Sequence, residues 1–539
     1  MENLSCKKAG GAIPTKYRST EEVKRILSME IYNVETYQNE IMLKGIDVVW
    51  EEILKYCKET NNTDSFLSIK NFGDLYEIGL AFLSKENKKE NGVYYTPNDV
   101  CILLSSYFKD LKGENICDVC CGTGNLIISY LSTLTREEAL NIINSGKLYL
   151  YDLDSLALKI CIESIAILYN LKDMSTIHSI AGDFLNKTIK LPKNSKVISN
   201  PPYYKISTIS KKWEESTIVK DSKELYTAFM EKIIKQSESS VTITPFSFIG
   251  GNKFYSFRCF LNDYNGKILS FDNVPGNIFN GKKHGVFNTN TSNAVRAAIT
   301  IVENIEDKQG FIVSPLFRFL TSEREFILDK KILSSYLSED YQVISTENKK
   351  YCKCFNELLL IYNTWIDESS NSFKSLLSDK PTDYILHMPK TCRYFVSATQ
   401  RSLNRDGKSV FYFKDLISYE YAYCLLNSSF AYMYWRIFDG AITYADGLLK
   451  ELPIFLDMLS SQDKKNIHDI VTEMVEKEKD FLVYKKNASK IQENVKFPKC
   501  YSKKLNQTFL DILKIDIQVD KFDVLHSNSL LSIGKEVVS

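Results

Sequence analysis

Net charge is almost missing from this chain. Its 68 Lys plus Arg oppose 67 Asp plus Glu, for a formal charge of +1. No strong whole-molecule field exists, so a polyanionic partner has to be met by a local basic face. Arginine is scarce, with 11 residues against 57 lysines. No stretch approaches about 18 uninterrupted apolar residues, so no membrane span is expected. Met1 to Pro14 lacks the charged-then-apolar plan of a secretory signal. The 13 cysteines are scattered, without the spacing of a disulfide framework, and fit a reducing cytoplasm. No second Cys pair or His cluster accompanies Cys120-Cys121, so no metal site is expected. What is present is the mix of a folded protein, 44% hydrophobic and 25% charged. At 539 residues the chain exceeds the ~250–300 at which single cores stop growing, so two or three domains are expected.

The first ninety residues read as helices. Ser19-Thr20-Glu21-Glu22 is a capping-box pattern, followed by apolar residues at helical spacing through Ile26, Ile31, Val34, Ile41 and Val48. A second helical run spans Leu75 to Leu83, and Lys85 to Asn91 is a polar linker. From about Gly92 the pattern becomes α/β. Strands are predicted at Asn115 to Cys121, Lys147 to Leu153, Ile177 to Phe184, Lys196 to Ser199, Val241 to Pro245 and Ala294 to Val302. Helices are predicted at Asn125 to Leu134, Leu156 to Leu171 and Leu225 to Ile234. Such alternation implies a parallel sheet with helices on both faces. Beyond about Gly310 the rhythm fades into a mixed, aromatic-rich region, and residues 460–500 read as a polar helix. The expected domains are an N-terminal helical region over 1–90, a catalytic domain over 91–310 and a mixed α/β domain over 311–539.

Three kinds of local signal carry chemistry. Asp118-Val119-Cys120-Cys121-Gly122-Thr123-Gly124 leads from a strand through a glycine turn into a helix, where free N–H groups face a ligand. Ile127 stands where a dinucleotide fingerprint needs a third glycine, which weakens a dehydrogenase reading. Asp152 and Asp183 each close a strand, where a carboxylate can accept from ribose hydroxyls or an exocyclic amine. Asp154 is expected to cap the next helix. Asn200-Pro201-Pro202-Tyr203 follows an apolar strand. Its two prolines make a rigid turn without N–H donors. The Asn200 side-chain oxygen and the Pro201 carbonyl can grip the amino group of a flat ring, on which Tyr203 can stack.

In order, Gly92-Val93-Tyr94-Tyr95-Thr96-Pro97, the glycine motif, Asp152, Asp183 and Asn200-Pro201-Pro202-Tyr203 resemble the motifs of gamma-arrangement N6-adenine DNA methyltransferases, the modification enzymes of type II restriction–modification systems. The likeness covers roughly residues 70–305. Tyr423 to Ile454, with Leu425-Leu426-Asn427-Ser428-Ser429 and Glu451-Leu452-Pro453-Ile454, more loosely resembles the end of a target-recognition domain. The resemblance implies a Rossmann-like, S-adenosylmethionine-dependent sheet followed by that domain. Tyr95, Thr96 and Pro97 then line the methionine end of the donor pocket, and Asp118, Gly122 and Gly124 form its floor. Asp152 holds the ribose hydroxyls and Asp183 the donor's adenine amine. Asn200, Pro201, Pro202 and Tyr203 hold the target adenine, which must be flipped from the duplex. Two departures stand out: the Cys120-Cys121 pair, and a separation of 34 residues from Asp118 to Asp152, with Thr135 to Gly146 as the expected insertion.

On this reading duplex DNA is the partner, with Phe287 as a second aromatic for the flipped base and Lys282 and Lys283 in a basic loop. Tyr384 to Lys414 carries Lys390, Arg393, Arg401, Arg405, Lys408 and Lys414 among aromatics, with Asp406 its one acid. Arg reads guanine and Lys meets phosphate, so this segment is expected on the recognition surface. An ordinary exposed hairpin has the same composition. Alternatives remain open: a methylation subunit needing a separate specificity chain, or an enzyme acting on an amino group in RNA or on a glutamine amide. A separate cognate endonuclease and solitary regulatory methylation are equally open, the expected location is cytoplasmic, and either a monomer or a dimer fits.

Overall fold

The computed structural model describes residues 33–60, 72–83, 96–207, 216–279, 295–304, 310–337, 350–440, 442–487 and 490–530. The capping pattern at Ser19 and the candidates Tyr95, Lys282, Lys283 and Phe287 lie outside them. Among the described residues, eight strands form one sheet in the order β3-β2-β1-β4-β5-β7-β6-β8. They are β1 (Asn115–Val119), β2 (Leu148–Asp152), β3 (His178–Ala181), β4 (Ser195–Ser199), β5 (Ser239–Pro245), β6 (Asn265–Phe271), β7 (Ala297–Glu303) and β8 (Phe311–Phe317). β3, β2, β1, β4 and β5 run parallel to one another, as the alternating pattern predicts.

The chain forms two compact units. The first holds residues 1–244, 278–294 and 299–306, and the second the remainder. The packing division thus falls at Thr244, earlier in the chain than the fading of the βα rhythm near Gly310.

In the first unit, α1 (Asn33–Lys44) and α2 (Ile46–Thr60) replace the single long helical run, broken by Gly45 at φ +88°. Trp50 of α2 is fully buried, donates to the Tyr37 hydroxyl at 3.0 Å and meets Phe72 and Tyr76 of α3 (Phe72–Leu83) edge-on. The sheet's faces follow from strand alternation. Val197 and Cys117 pack with Phe229 and Ile233 of α8 (Leu225–Gln236). Lys196 points the other way, and its ammonium donates to the Phe108 and Leu111 carbonyls at 3.2 and 3.3 Å. Those carbonyls lie at and just beyond the end of α4 (Asn98–Phe108), which packs beside α5 (Asn125–Ser132). Burial lowers the Lys196 pKa to about 8. The expected insertion is a helix, α6 (Arg136–Asn144), opened by a reciprocal Thr135–Glu138 capping box. Arg136 reaches the last carbonyls of α7 (Ser155–Tyr169) at 3.2 and 2.9 Å.

The second unit buries an aromatic core that includes Trp365, Trp435, Tyr421, Phe430 and Phe509. Around it lie α9 (Asn356–Asp367), α10 (Leu416–Asn427), α11 (Ser429–Phe438), α12 (Ser461–Lys477) and α13 (Lys499–Ile512). Three two-stranded ladders join them: β9 (Asn371–Ser372) with β12 (Pro453–Ile454), β10 (Ile385–Pro389) with β11 (Lys408–Tyr412), and β13 (Leu482–Asn487) with β14 (Lys490–Val495). The polar helix expected over 460–500 is therefore corrected. It stops at Lys477, and Val483, Ile491 and Val495, better suited to a pleated surface, build a hairpin instead. Among the described residues no helix is long and apolar enough to cross a membrane.

Candidate active site

The site is built at the carboxyl ends of β1, β2, β3 and β4. After β1 the backbone takes left-handed conformations at Cys120 (φ 71°), Gly122 (φ 53°) and Gly124 (φ 96°). A Cβ on Gly124 would also stand 2.6 Å from the Cys161 sulfur. The turn lets the Cys120 and Cys121 N–H groups reach the Tyr151 carbonyl at 2.8 and 3.0 Å. Asp152 ties two turns together, accepting from the Gly122 N–H at 2.7 Å and the Asp154 N–H at 2.8 Å. A carboxylate has about four lone-pair sites, so it can still accept from a ligand. Asp154 caps α7 through Leu156 and Ala157 and receives the Tyr76 hydroxyl at 2.8 Å.

A cleft of about 590 Å³ opens there. Its wall includes Thr96, Gly122, Asp152, Asp183, Asn200 and Pro202, so residues more than a hundred positions apart converge. Pro97, Asp118, Gly124, Pro201 and Tyr203 are not part of that wall. Leu80, Asn125, Leu185 and Tyr204 are, and sequence reasoning missed them. Leu80 belongs to α3, so the N-terminal helices help form the site. Tyr204 sits one position past the proline turn and is 40% exposed. Phe184, Phe229 and Leu225 supply an apolar surface. Lys232 of α8 holds the loop behind Phe184: its ammonium contacts the Phe184 carbonyl, donates to Asn186 and Ile189 at 2.9 and 2.7 Å, and stands 4.4 Å from the Phe184 ring centre.

Asp118 is fully buried. Burial, and then the charge of Asp152, hold its carboxyl well above the usual range, opposed by the Ile127 N–H. Neither oxygen reaches a partner at full hydrogen-bond geometry. Burial likewise pushes the Cys120 and Cys121 thiols well up, which disfavours the thiolate a nucleophile requires. Asp183 is exposed and accepts from the Leu185 N–H at 2.9 Å.

The proline turn is held from both sides. The Asn200 amide donates to the Thr96 hydroxyl at 3.0 Å, which aims Oδ1 at the Tyr203 hydroxyl, 2.7 Å away. That hydroxyl also lies 3.0 Å from the Ile243 carbonyl, so one proton is shared between two acceptors. Asn125 donates to the Thr96 carbonyl at 3.3 Å, linking α5 to the same point. The Tyr203 ring meets Phe279 edge-on at 5.9 Å.

In the second unit the basic segment is the β10–β11 ladder and its connection. Lys390 pairs with Asp446 at 3.1 Å. Arg405 contacts the Asn494 side chain, and Lys408 donates to Ser402 and Leu403 at 3.0 and 2.8 Å. The Arg393 carbonyl receives Arg318 and Tyr432 at 2.7 and 2.8 Å. Arg401 has an exposed side chain. Asn427, in the stretch resembling the end of a recognition domain, exchanges hydrogen bonds with the backbone of Ala398 at 3.1 and 2.9 Å and so pins this connection.

Residues 67–256 match the family described as N-6 DNA Methylase. It is 32% identical over 134 residues to the type II methyltransferase M.VspI of Vibrio sp. (strain 343), covering 24% of this chain and 29% of that one. It is 22% identical over 338 residues to the type I restriction enzyme MpnII methylase subunit of Mycoplasma pneumoniae, covering 58% of this chain and 55% of the relative. A solved DrdV–DNA complex resembles it with a TM-score of 0.43 and 15% identity, over 62% of this chain and 40% of that chain. The chain thus spans little more than half the length of these relatives, or less.

Proposed function

We propose that this chain is a site-specific DNA methyltransferase that moves a methyl group from S-adenosylmethionine to N6 of an adenine in double-stranded DNA, as the modification enzyme of a restriction–modification system. The observation that carries this reading is the Asn200 amide, oriented by Thr96, on the wall of the cleft that also carries Asp152 and Asp183. The donor fits what is there. The cleft volume lies within the ~300–1,000 Å³ of small-molecule sites. Asp152 suits the ribose hydroxyls, Asp183 an exocyclic amine, and Phe184, Leu185 and Phe229 an adenine ring. Asp118, buried and lacking full hydrogen bonds, with its carboxyl held above the usual range by burial, supports the floor from behind the wall. When bound, the donor supplies a methyl group already activated by its sulfonium.

The chain's own residues orient and polarise. Asn200 Oδ1 and the Pro201 carbonyl accept the two amino hydrogens of the flipped base, which draws the nitrogen lone pair out of the ring. The Tyr203 hydroxyl turns wholly to Ile243 as Oδ1 takes its new donor. Tyr203 or Tyr204 stacks on the base and offsets part of the flipping cost, at ~1–3 kcal/mol per stacked base. No covalent nucleophile is required, in keeping with the raised Cys120 and Cys121 thiols.

The test is expression in a methylation-free bacterial host, with modification-sensitive sequencing of the genome and Asn200→Ala alongside. N6-methyladenine at one short motif is expected. In the variant it falls about 10²–10³-fold, the usual cost of removing one positioned hydrogen-bonding group. The breadth of the likeness to a type I methylase subunit favours a second reading, a subunit dependent on a specificity chain. An unmodified genome from soluble protein would support that reading against the first.

A further inference from the structure

We propose that the β13–β14 hairpin of the second unit is a DNA-contacting ribbon, with Lys485 and Lys486 meeting phosphates and Tyr484 and Ile491 packing against the groove. This rests on the DNA reading above. It extends that reading to an element outside the basic segment and outside the matched residues 67–256.

Three observations converge. First, the hairpin carries apolar surface that no core covers: Tyr484 is 66% exposed and Ile491 64%. Single exposed apolar residues are ordinary, but these two are diagonal neighbours. Register pairs Tyr484 with Glu493 and Lys486 with Ile491, so Tyr484, Lys486 and Ile491 share one face.

Second, the ribbon's charge is mostly of one sign, three lysines against one carboxylate. Lys485, Lys486 and Lys490 are exposed. The ribbon's one carboxylate, Glu493, accepts from the Asn404 N–H at 2.8 Å. The Lys490–Asp406 pair, at 3.1 Å, is solvent-exposed on both sides and therefore worth little. Lys490 can exchange that partner for a phosphate.

Third, the ribbon is one body with the Arg401 connection. Glu478, just before β13, accepts the Gln400 and Arg401 N–H groups at 2.8 and 3.0 Å. The Glu493 N–H donates to the Asn404 carbonyl at 3.0 Å, and Ser397 donates to the Val495 carbonyl at 2.9 Å. The ribbon and the exposed Arg401 are thus tied into one body, with Lys486 on the Tyr484–Ile491 face and Lys485 and Lys490 on the other. A two-stranded antiparallel ribbon is narrow enough for the major groove, about 12 Å wide. Lysines beside apolar residues match phosphates beside thymine methyls and sugars, and charge complementarity selects a polyanion over a protein groove.

The test uses the full chain and fluorescent random-sequence duplex DNA, titrated at several salt concentrations. Donor binding and thermal melting serve as controls. Lys485→Ala/Lys486→Ala is expected to reduce the salt slope of log K by about 2, from a slope of about 0.9 per phosphate contact. Tyr484→Ala/Ile491→Ala is expected to weaken binding severalfold at an unchanged slope. Donor affinity and melting stay as in the wild type. Wild-type slope and affinity in both variants would overturn the inference. Failure of the wild-type chain itself to bind the duplex would overturn the DNA reading and the inference together, before any variant is examined. Lysine-dependent binding of structured RNA without duplex binding would do the same.

Discussion

In the first unit, buried and half-buried polar groups keep capacity directed into a cleft. In the second, the buried Asp272 and Arg258 spend theirs on the protein itself. Asp152 takes two backbone N–H groups and still has lone pairs for a ligand. Asp272, fully buried in the second unit, is closed off by Arg296 at 2.9 Å and Arg318 at 2.7 Å. Arg258 donates to the Phe248 and Gly251 carbonyls at 2.8 and 2.7 Å, and Arg436 to Leu316 at 2.9 Å. The scarce arginines are mostly architectural here. An arginine in such a cluster is available to a partner only where the guanidinium remains exposed, as at Arg401.

Removing a buried charge on each side sharpens this contrast. Asp272→Ala leaves two buried guanidiniums without their carboxylate and should destabilise the second unit by about 3–5 kcal/mol. Urea denaturation reads the loss; a stability equal to wild type would break the contrast. Asp152→Ala, in the first unit, should act on ligand binding more than on folding. Losing charged hydrogen bonds worth about 1.5–3 kcal/mol weakens S-adenosylmethionine binding roughly 10- to 100-fold, measured by calorimetry.

A subtler separation comes from Lys353, buried in the second unit with no hydrogen-bond partner on its ammonium. Burial lowers its pKa from 10.5 to about 7, against the attraction of Asp439. Between those values the unfolded chain binds the proton and the folded one does not, so stability rises with pH by at most about 1.4 kcal/mol per unit. Lys353→Met should remove that slope, being the more stable form near pH 7 and losing its advantage toward pH 10.5. Parallel pH profiles of denaturation for the two proteins would contradict this. The smallest effect belongs to Arg401→Ala, which should lower the salt slope of DNA binding by about 0.9 with melting unchanged. Arg405→Ala, by contrast, should lower melting because it removes the contact to Asn494.

Much of the first unit was legible because its signals are local. The glycine turn after β1, the Asp154 cap and the proline turn after β4 each lie within a few residues of a strand end, where backbone geometry demands particular side chains. Lys232 was not legible: its partners are three carbonyls more than forty residues away, and carbonyls leave no trace in side-chain identity. The polar stretch after Ser461 misled because Glu–Lys alternation suits an exposed helix and an exposed ribbon alike. Tertiary contacts from the 397–406 connection accompany the ribbon that the second half of it forms.

Local sequence thus specified the α/β alternation and the order of the site's motifs, since strand, turn and cap preferences act over a handful of residues. Which motif residues face the cleft, which basic side chains stay in water, and where a helix yields to a hairpin were decided by packing. Burial and hydrogen-bond partners come from segments far apart in the chain, and only the folded structure brings them within reach.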